Sequence, residues 1–416
     1  MMLALALALA LQTFPSIVII LGDDVADRDV DEQPTPHLDA LASQGIRFRQ
    51  AYANPSCSVT RMSALFGYWR KRGGGDVCPG STDPLGLLPA MDSQSLPRVV
   101  PGYATAHIGK WHAGRGFLAS WEEAPQGYGF EKSFSVMPMN VGNCLAGGSY
   151  THWLCSENGQ PAQVSSQYVD LAIWNSFYQW TAQKESRPRL AWICPQNGHN
   201  PHHVPPPELL DGATPPSGTA LENFGLQVQA LDNLVGMVMD RVDLTKTIVW
   251  FVGDNGSPVG LFPRAKTTTY DRGVRVPMIL AGPGIVQGQE TDALFHVVDI
   301  MATVAAMAGK PAPAGDGVSL WGVMTGKATK ARTFVYCARQ QLPGTMIIPG
   351  LVKLDECIVR NDGYKLRKTR VAQFGPDIIT YELYNLNTDP DELTDLSDDL
   401  PVIVGDLEEL IPTGAI

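Results

Sequence analysis

A chain of 416 residues can bury a large core, and 44% hydrophobic with 18% charged residues is the composition of a folded globular protein rather than a disordered one. Its 31 Lys and Arg against 42 Asp and Glu give a formal net charge of -11, which argues against nucleic acid or an anionic membrane surface as the main partner. An anionic substrate therefore needs a locally basic pocket.

Residues 1–11 are an almost pure Leu/Ala run, too short to span a bilayer, followed by Gln12, Thr13 and Pro15. They read as a signal peptide with Ala8 and Ala10 at a small-x-small cleavage site, although no basic residue precedes the apolar stretch; a buried N-terminal segment is the alternative. The expected location is periplasmic or secreted, with no stable membrane span.

Four short apolar runs each end in a polar cluster. Residues 16–21 precede Gly22-Asp23-Asp24, and residues 104–108 precede Gly109-Lys110-Trp111-His112. Residues 190–194 precede His199, and residues 247–252 precede Gly253-Asp254-Asn255. Runs of this length, rich in Ile and Val, predict buried strands of a sheet covered on both faces. Helices are expected between them over 38–43 and 224–242, the second with Leu231, Leu234, Val235 and Val238 in helical spacing. The class is α/β, and open sheets of this class bind ligands beyond the carboxyl ends of their strands, so the four clusters should converge. Residues 311–330, with Pro311, Pro313, Gly315 and Gly317, suggest a boundary. Beyond it a strand near 364–366 and a closing helix near 402–410 are expected. The division is thus a leader at 1–11, a main domain at 12–325 and a smaller subdomain at 326–416.

Adjacent acids at a buried strand end, Asp23 and Asp24, are costly to hold together unless a cation neutralises them. Asp254 and Asn255 end another strand similarly, and the four offer oxygen ligands suited to Ca²⁺ or Mg²⁺. Each pair alone also makes a good turn. Cys57 lies before a helix-competent run, 62–66, whose N-terminus would favour an anion; alone it reads as a structural thiol or a nucleophile. Lys110 and His112, two residues apart, fall on one face of an extended segment. His199, His202 and His203 invite a zinc reading that the carboxylates do not require. Lys266 reads as a solvated surface residue. None of the seven cysteines forms a C-x-x-C motif; setting Cys57 aside leaves six, and Cys144 with Cys155 or Cys337 with Cys357 are candidate local bridges, whereas Cys194 reads as a buried thiol. Trp111, Trp121 and Trp153 could stack on a sugar, although packing is the commoner role.

Together these segments resemble the type I sulfatases of the alkaline phosphatase superfamily, over almost the whole chain. The resemblance is carried by Leu21 to Asp24, Thr35 to Ala42, Cys57 to Arg61, Gly102 to Gly114, His199-x-Pro201, Gly253 to Gly256, Lys266 to Pro277, and Glu382 to Leu386 with Asp389, Pro390 and Glu392. It implies a large mixed, mostly parallel sheet flanked by helices, and a smaller C-terminal α+β part with an antiparallel sheet. It also implies one Ca²⁺ per chain on Asp23, Asp24, Asp254 and Asn255, with the side chain at position 57 against the metal.

By the same resemblance, Cys57 would be converted to formylglycine by a maturation enzyme, and its hydrate would attack a sulfate ester. Lys110 and Lys266 would hold the sulfate oxygens, Arg61 would stabilise the hydrate, His199 with Lys266 would protonate the leaving alcohol, and His112 would deprotonate the hydrate to expel sulfate. The substrate implied is a sulfated carbohydrate or an aryl or alkyl sulfate. Val59 stands where the family signature has Pro or Ala. That departure motivates a non-catalytic protein that binds sulfated glycans, and the superfamily motivates a phosphodiesterase or phosphonate monoester hydrolase.

Overall fold

The computed structural model describes residues 14–69, 94–114, 120–341, 352–373 and 375–413. The expected leader and Cys78 lie outside them. Eight strands form the central sheet: β1 (Ser16–Gly22), β2 (Gly45–Phe48), β3 (Ala104–Lys110), β4 (Lys132–Met137), β5 (Arg189–Cys194), β6 (Thr247–Gly253), β7 (Met278–Ala281) and β8 (Gln289–Thr291). Their order is β8-β2-β7-β6-β1-β5-β3-β4, and only β7 runs antiparallel to its neighbours, β2 and β6. The mixed, mostly parallel sheet expected from the resemblance is therefore present.

Alternation along the strands divides the core in two. On β1 the side chains of Ile17, Ile19 and Leu21 enter one apolar layer, and those of Val18 and Ile20 enter the other. The first layer is covered by α2 (Cys57–Phe66) and α5 (Ile300–Met307), the second by α1 (Pro36–Ser43), α3 (Val169–Ala182) and α4 (Ala220–Arg241). Thr35 supplies no side-chain cap to α1, and Asp232 of α4 accepts from the amides of His37 and Leu38 at 3.1 and 2.7 Å in its place. Among the described residues no helix is long and apolar enough to cross a membrane.

The C-terminal part is a four-stranded antiparallel sheet, β9 (Phe334–Gln341), β10 (Val352–Arg360), β11 (Tyr364–Gln373) and β12 (Gly375–Asn385), with α6 (Pro401–Glu408). It joins the main sheet near the Cys57 segment: Ala338 N donates to Asn54 Oδ1 at 3.3 Å and Arg367 Nε to Thr269 Oγ1 at 3.1 Å. The two candidate disulfides are not formed. Cys144, Cys155, Cys337 and Cys357 are free thiols, although Cys337 and Cys357 face one another across β9 and β10. Burial and the hydrogen bond that Cys337 donates to Cys357 keep the Cys337 thiol protonated. Of the three tryptophans weighed between sugar stacking and packing, Trp111 and Trp153 are buried in the core, the commoner role.

Trp111 and Phe130 pack edge-on against His107 of β3, which is fully buried. Burial, with the Arg61 charge nearby, holds this imidazole down to about 3 from an ordinary 6.5. A folded-state value below the unfolded one means that the unfolded chain binds the proton first, so stability falls as pH drops below 6.5. His107→Leu is expected to remove roughly 1–2 kcal/mol of the stability lost between pH 6.5 and 5. Urea denaturation at the two pH values measures it; parallel losses in variant and parent would refute the assignment.

Candidate active site

Register brings the acidic groups together. Gly22 and Gly253 are paired at the ends of β1 and β6, and Asp254 N donates to Gly22 O at 2.8 Å. In a continuing strand Asp23 and Asp24 would point to opposite faces, but Asp24 has a left-handed φ of 55° and turns its carboxylate back into the same cavity. Asp24 N donates to Asp254 Oδ1 at 3.2 Å, and Asn255 Nδ2 to Asp24 Oδ1 at 2.8 Å. All four side chains are buried.

Three cations surround these acids. Lys110 Nζ lies 2.5 Å from Asp23 Oδ2, Lys266 Nζ 2.6 Å from Asp24 Oδ1, and Arg61 Nη2 2.8 Å from Asp254 Oδ2. Arg61 also donates to Lys110 O at 2.8 Å, locking α2 to the end of β3. Burial by itself would raise the Asp23 carboxyl, but Lys110, His199 and Arg61 hold it below the usual carboxylate range. Asp254 is pushed up, by burial and then by the Asp23 charge, as expected for two neighbouring carboxylates. Burial disfavours the Lys266 ammonium, yet Asp24 and the other negative groups raise its pKa further.

Cys57 is the first residue of α2, its thiol 3.1 Å from His112 Nδ1. Lys110 and His112 do not share one extended face: the strand ends at Lys110, and His112 has a left-handed φ of 44°. That turn sends the imidazole to Cys57 while Lys110 remains on Asp23. His199 Nε2 stands 3.7 Å from Asp24 Oδ2, and its Nδ1 faces Asn200 O at 2.8 Å. Burial holds this imidazole down to about 4 despite the opposing pull of Asp24, so it is neutral at neutral pH. Lys266 is part of the site rather than a solvated surface residue, because its side chain is only 11% exposed.

The structure thus brings together Cys57, Arg61, Lys110, His112, His199, Lys266, Asp23, Asp24, Asp254 and Asn255. His202 and His203 turn elsewhere, to Gln227 and Tyr168. Asp23, Asp24 and His199 form a buried group whose ligand atoms lie within 4.8 Å of one another.

Gln196 and Asp170 were not legible in the sequence. Gln196 Nε2 donates to Asp23 Oδ2 at 2.6 Å, and Asp170, on the first turn of α3, accepts from the amides of Gln196 and Asn197 at 2.7 Å each. Gly198 has φ 107°, and a Cβ there would lie 2.1 Å from Asp23 O, so this loop is pressed against the acids. No spacing rule pairs position 170 with 196.

A family profile described as Sulfatase matches residues 15–310. The chain belongs to the sulfatase family. A second profile, N-sulphoglucosamine sulphohydrolase, C-terminal, matches residues 260–408 of the sulfatase. The chain is 30% identical over 407 residues to arylsulfatase G of Rattus norvegicus, covering 82% of this chain and 74% of the relative. It is 25% identical over 487 residues to an N-acetylgalactosamine-6-O-sulfatase of Bacteroides thetaiotaomicron, covering 95% and 92%. Its fold resembles that of a protein solved with its substrate D-glucosamine-2-N,6-O-disulfate, with a TM-score of 0.72, 19% identity, and coverage of 96% and 97%. The sulfatase is accordingly a sulfuric ester hydrolase.

Asp170→Ala would free the loop that carries Gln196 and His199. Displacement of supporting groups of this kind costs on the order of 10- to 100-fold in activity. Steady-state sulfate release should fall by that factor while the far-UV spectrum is retained; unchanged turnover would show that the loop holds itself.

Proposed function

We propose that this sulfatase removes sulfate from a sulfated carbohydrate outside the cytoplasm, using formylglycine made from Cys57 and one Ca²⁺ on Asp23, Asp24, Asp254 and Asn255. The observation that carries the metal is a pair of buried oxygens, Asp23 Oδ1 and Asn255 Oδ1, which have no hydrogen-bond partner among the described residues. Buried polar atoms seldom remain unpaired, and a set of three carboxylates and an amide oxygen fits a hard cation. Bound there, Ca²⁺ would offset the carboxylate charge and polarise the sulfate oxygens.

An aldehyde hydrate at position 57 supplies what a thiol lacks, one hydroxyl as nucleophile and a second through which sulfate is expelled. His112 Nδ1, beside that side chain, is the group placed to take the proton. Lys110 and Lys266 are the cations available to sulfate oxygens, and Arg61 keeps the N-terminal turn of α2 in place through Asp254 and Lys110 O. Lys266 and His199, both beside Asp24, are the two candidates for protonating the leaving alcohol. The carbohydrate reading is supported by the N-acetylgalactosamine and glucosamine sulfates named for the relatives, and export by the Leu/Ala character of residues 1–11. A formylglycine-generating enzyme acting on the Cys57 to Arg61 stretch is the implied partner.

Mass analysis of the Cys57 peptide, after production with and without a formylglycine-generating enzyme, should reveal aldehyde or hydrate in place of cysteine only in the first. Calcium chelation should abolish sulfate release and added Ca²⁺ restore it. Cys57→Ala should lower turnover by at least about a thousandfold. An unmodified cysteine together with chelator-resistant sulfate release would overturn the mechanism.

Lys266→Met offers a separate check on proton supply. It should lower kcat/KM about a hundredfold on an alkyl or sugar sulfate, and much less on an aryl sulfate whose acidic phenol leaves without protonation. Equal losses on both would assign Lys266 to sulfate binding alone.

A further inference from the structure

Beside the His199 loop lies a cavity of about 410 Å³, a size typical of small-ligand sites, and none of the residues already assigned to catalysis lines it. We propose that this cavity, walled by Tyr150, Tyr168, Pro201, His203, Val204 and Pro206, is a saccharide subsite for the ring next to the sulfated sugar, and that this neighbouring ring is an uncharged pyranose. The inference rests on the carbohydrate reading above and adds where the neighbouring ring sits and what kind it is.

Position is the first argument. Tyr150 Oη reaches Gln196 O at 2.5 Å and His199 O at 2.6 Å, and Tyr168 Oη donates to Asn197 Oδ1 at 2.7 Å. The loop that presents His199 to Asp24 on one side therefore forms the back of the cavity on the other. His203 follows four residues after His199 on the same loop.

The second argument is chemical. Ring centroids of Tyr150 and His203 are 4.2 Å apart, those of Tyr150 and Tyr168 5.4 Å, and those of Tyr168 and His203 5.6 Å. Such a three-ring cluster offers an apolar surface with polar tips, which matches the C–H face and hydroxyl rim of a sugar. Of the lining residues only His203 titrates near neutral pH, and burial lowers its pKa, so the cavity carries no charge to compensate a sulfate or carboxylate.

Hydrogen-bond capacity supplies the third. His203 Nδ1 faces Pro201 O at 2.9 Å and so carries the hydrogen, leaving Nε2 as an acceptor 3.0 Å from Tyr168 Oη. Tyr168 has one hydroxyl hydrogen and two acceptors competing for it, His203 Nε2 and Asn197 Oδ1. With that hydrogen given to Asn197 Oδ1, His203 Nε2 is left over as an acceptor on a residue that lines the cavity, and a sugar hydroxyl placed there can donate to it.

Tyr168→Ala and His203→Ala, with folding checked by thermal melting, test the subsite on three probes. On an oligosaccharide with a neutral ring beside the sulfated sugar, kcat/KM should fall about tenfold or more, while a small aryl sulfate changes by less than about twofold. The parent enzyme should prefer that oligosaccharide to one with a uronic acid in the neighbouring position. Calorimetric binding of the desulfated neutral oligosaccharide should weaken at least about tenfold in both variants, independently of the state of Cys57. No loss, equal losses on glycan and aryl sulfate, or a preference for the uronic acid would overturn the subsite. Loss of aryl sulfate turnover in the parent, with glycan binding intact, would instead refute the catalytic mechanism and leave the subsite standing.

Discussion

The structure depends on an electrostatic constraint: three carboxylates, Asp23, Asp24 and Asp254, are buried together at the ends of adjacent parallel strands. Charges of one sign in a low-dielectric interior destabilise the fold unless each meets an opposite charge. Three elements distant in sequence answer that demand, α2 with Arg61, the end of β3 with Lys110, and the 265–273 segment with Lys266. The ion pairs that let the chain fold around its acids are thus the same groups that can turn toward an anionic substrate. A protein with net charge -11 thereby gathers three cations around one buried cluster.

Backbone turns complete the arrangement. Left-handed residues at Asp24 and His112 redirect side chains that strand alternation would have separated. Buried sites accumulate such strain where the surrounding contacts over-determine it, and here the neighbours of both residues are ion pairs or catalytic candidates. The loop of Gln196 to His199 serves two sides at once, bracing Asp23 within the acid cluster and backing the aromatic cavity. A change in that loop would therefore couple the chemistry to substrate choice.

Much of this was present in the one-dimensional pattern. Apolar runs of five or six residues, three of them followed by Gly-Asp or Gly-Lys, specified buried strands and polar strand ends, and the helical spacing of Leu231, Leu234 and Val238 specified the long α4 helix. The residue types at the four strand ends also pointed to a hard cation and an anionic ligand. Lys266, Gln196, Asp170 and the wall of Tyr168 and His203 gave no such signal, because nothing periodic marks a residue whose partners lie dozens or hundreds of positions away. The candidate disulfides erred for a related reason: an even number of cysteines and short loops cannot tell a pair of thiols from a bond.

By itself the sequence determined the α/β class, the sulfatase resemblance and the identity of the acids, since these follow from local periodicity and from residue types at strand ends. Only the tertiary structure decided which cation neutralises which acid, how His112 leaves the strand to reach Cys57, and where a sugar ring could rest. Those are matters of strand register, of single left-handed residues and of loops brought together by packing, and none is encoded in the spacing of neighbours along the chain.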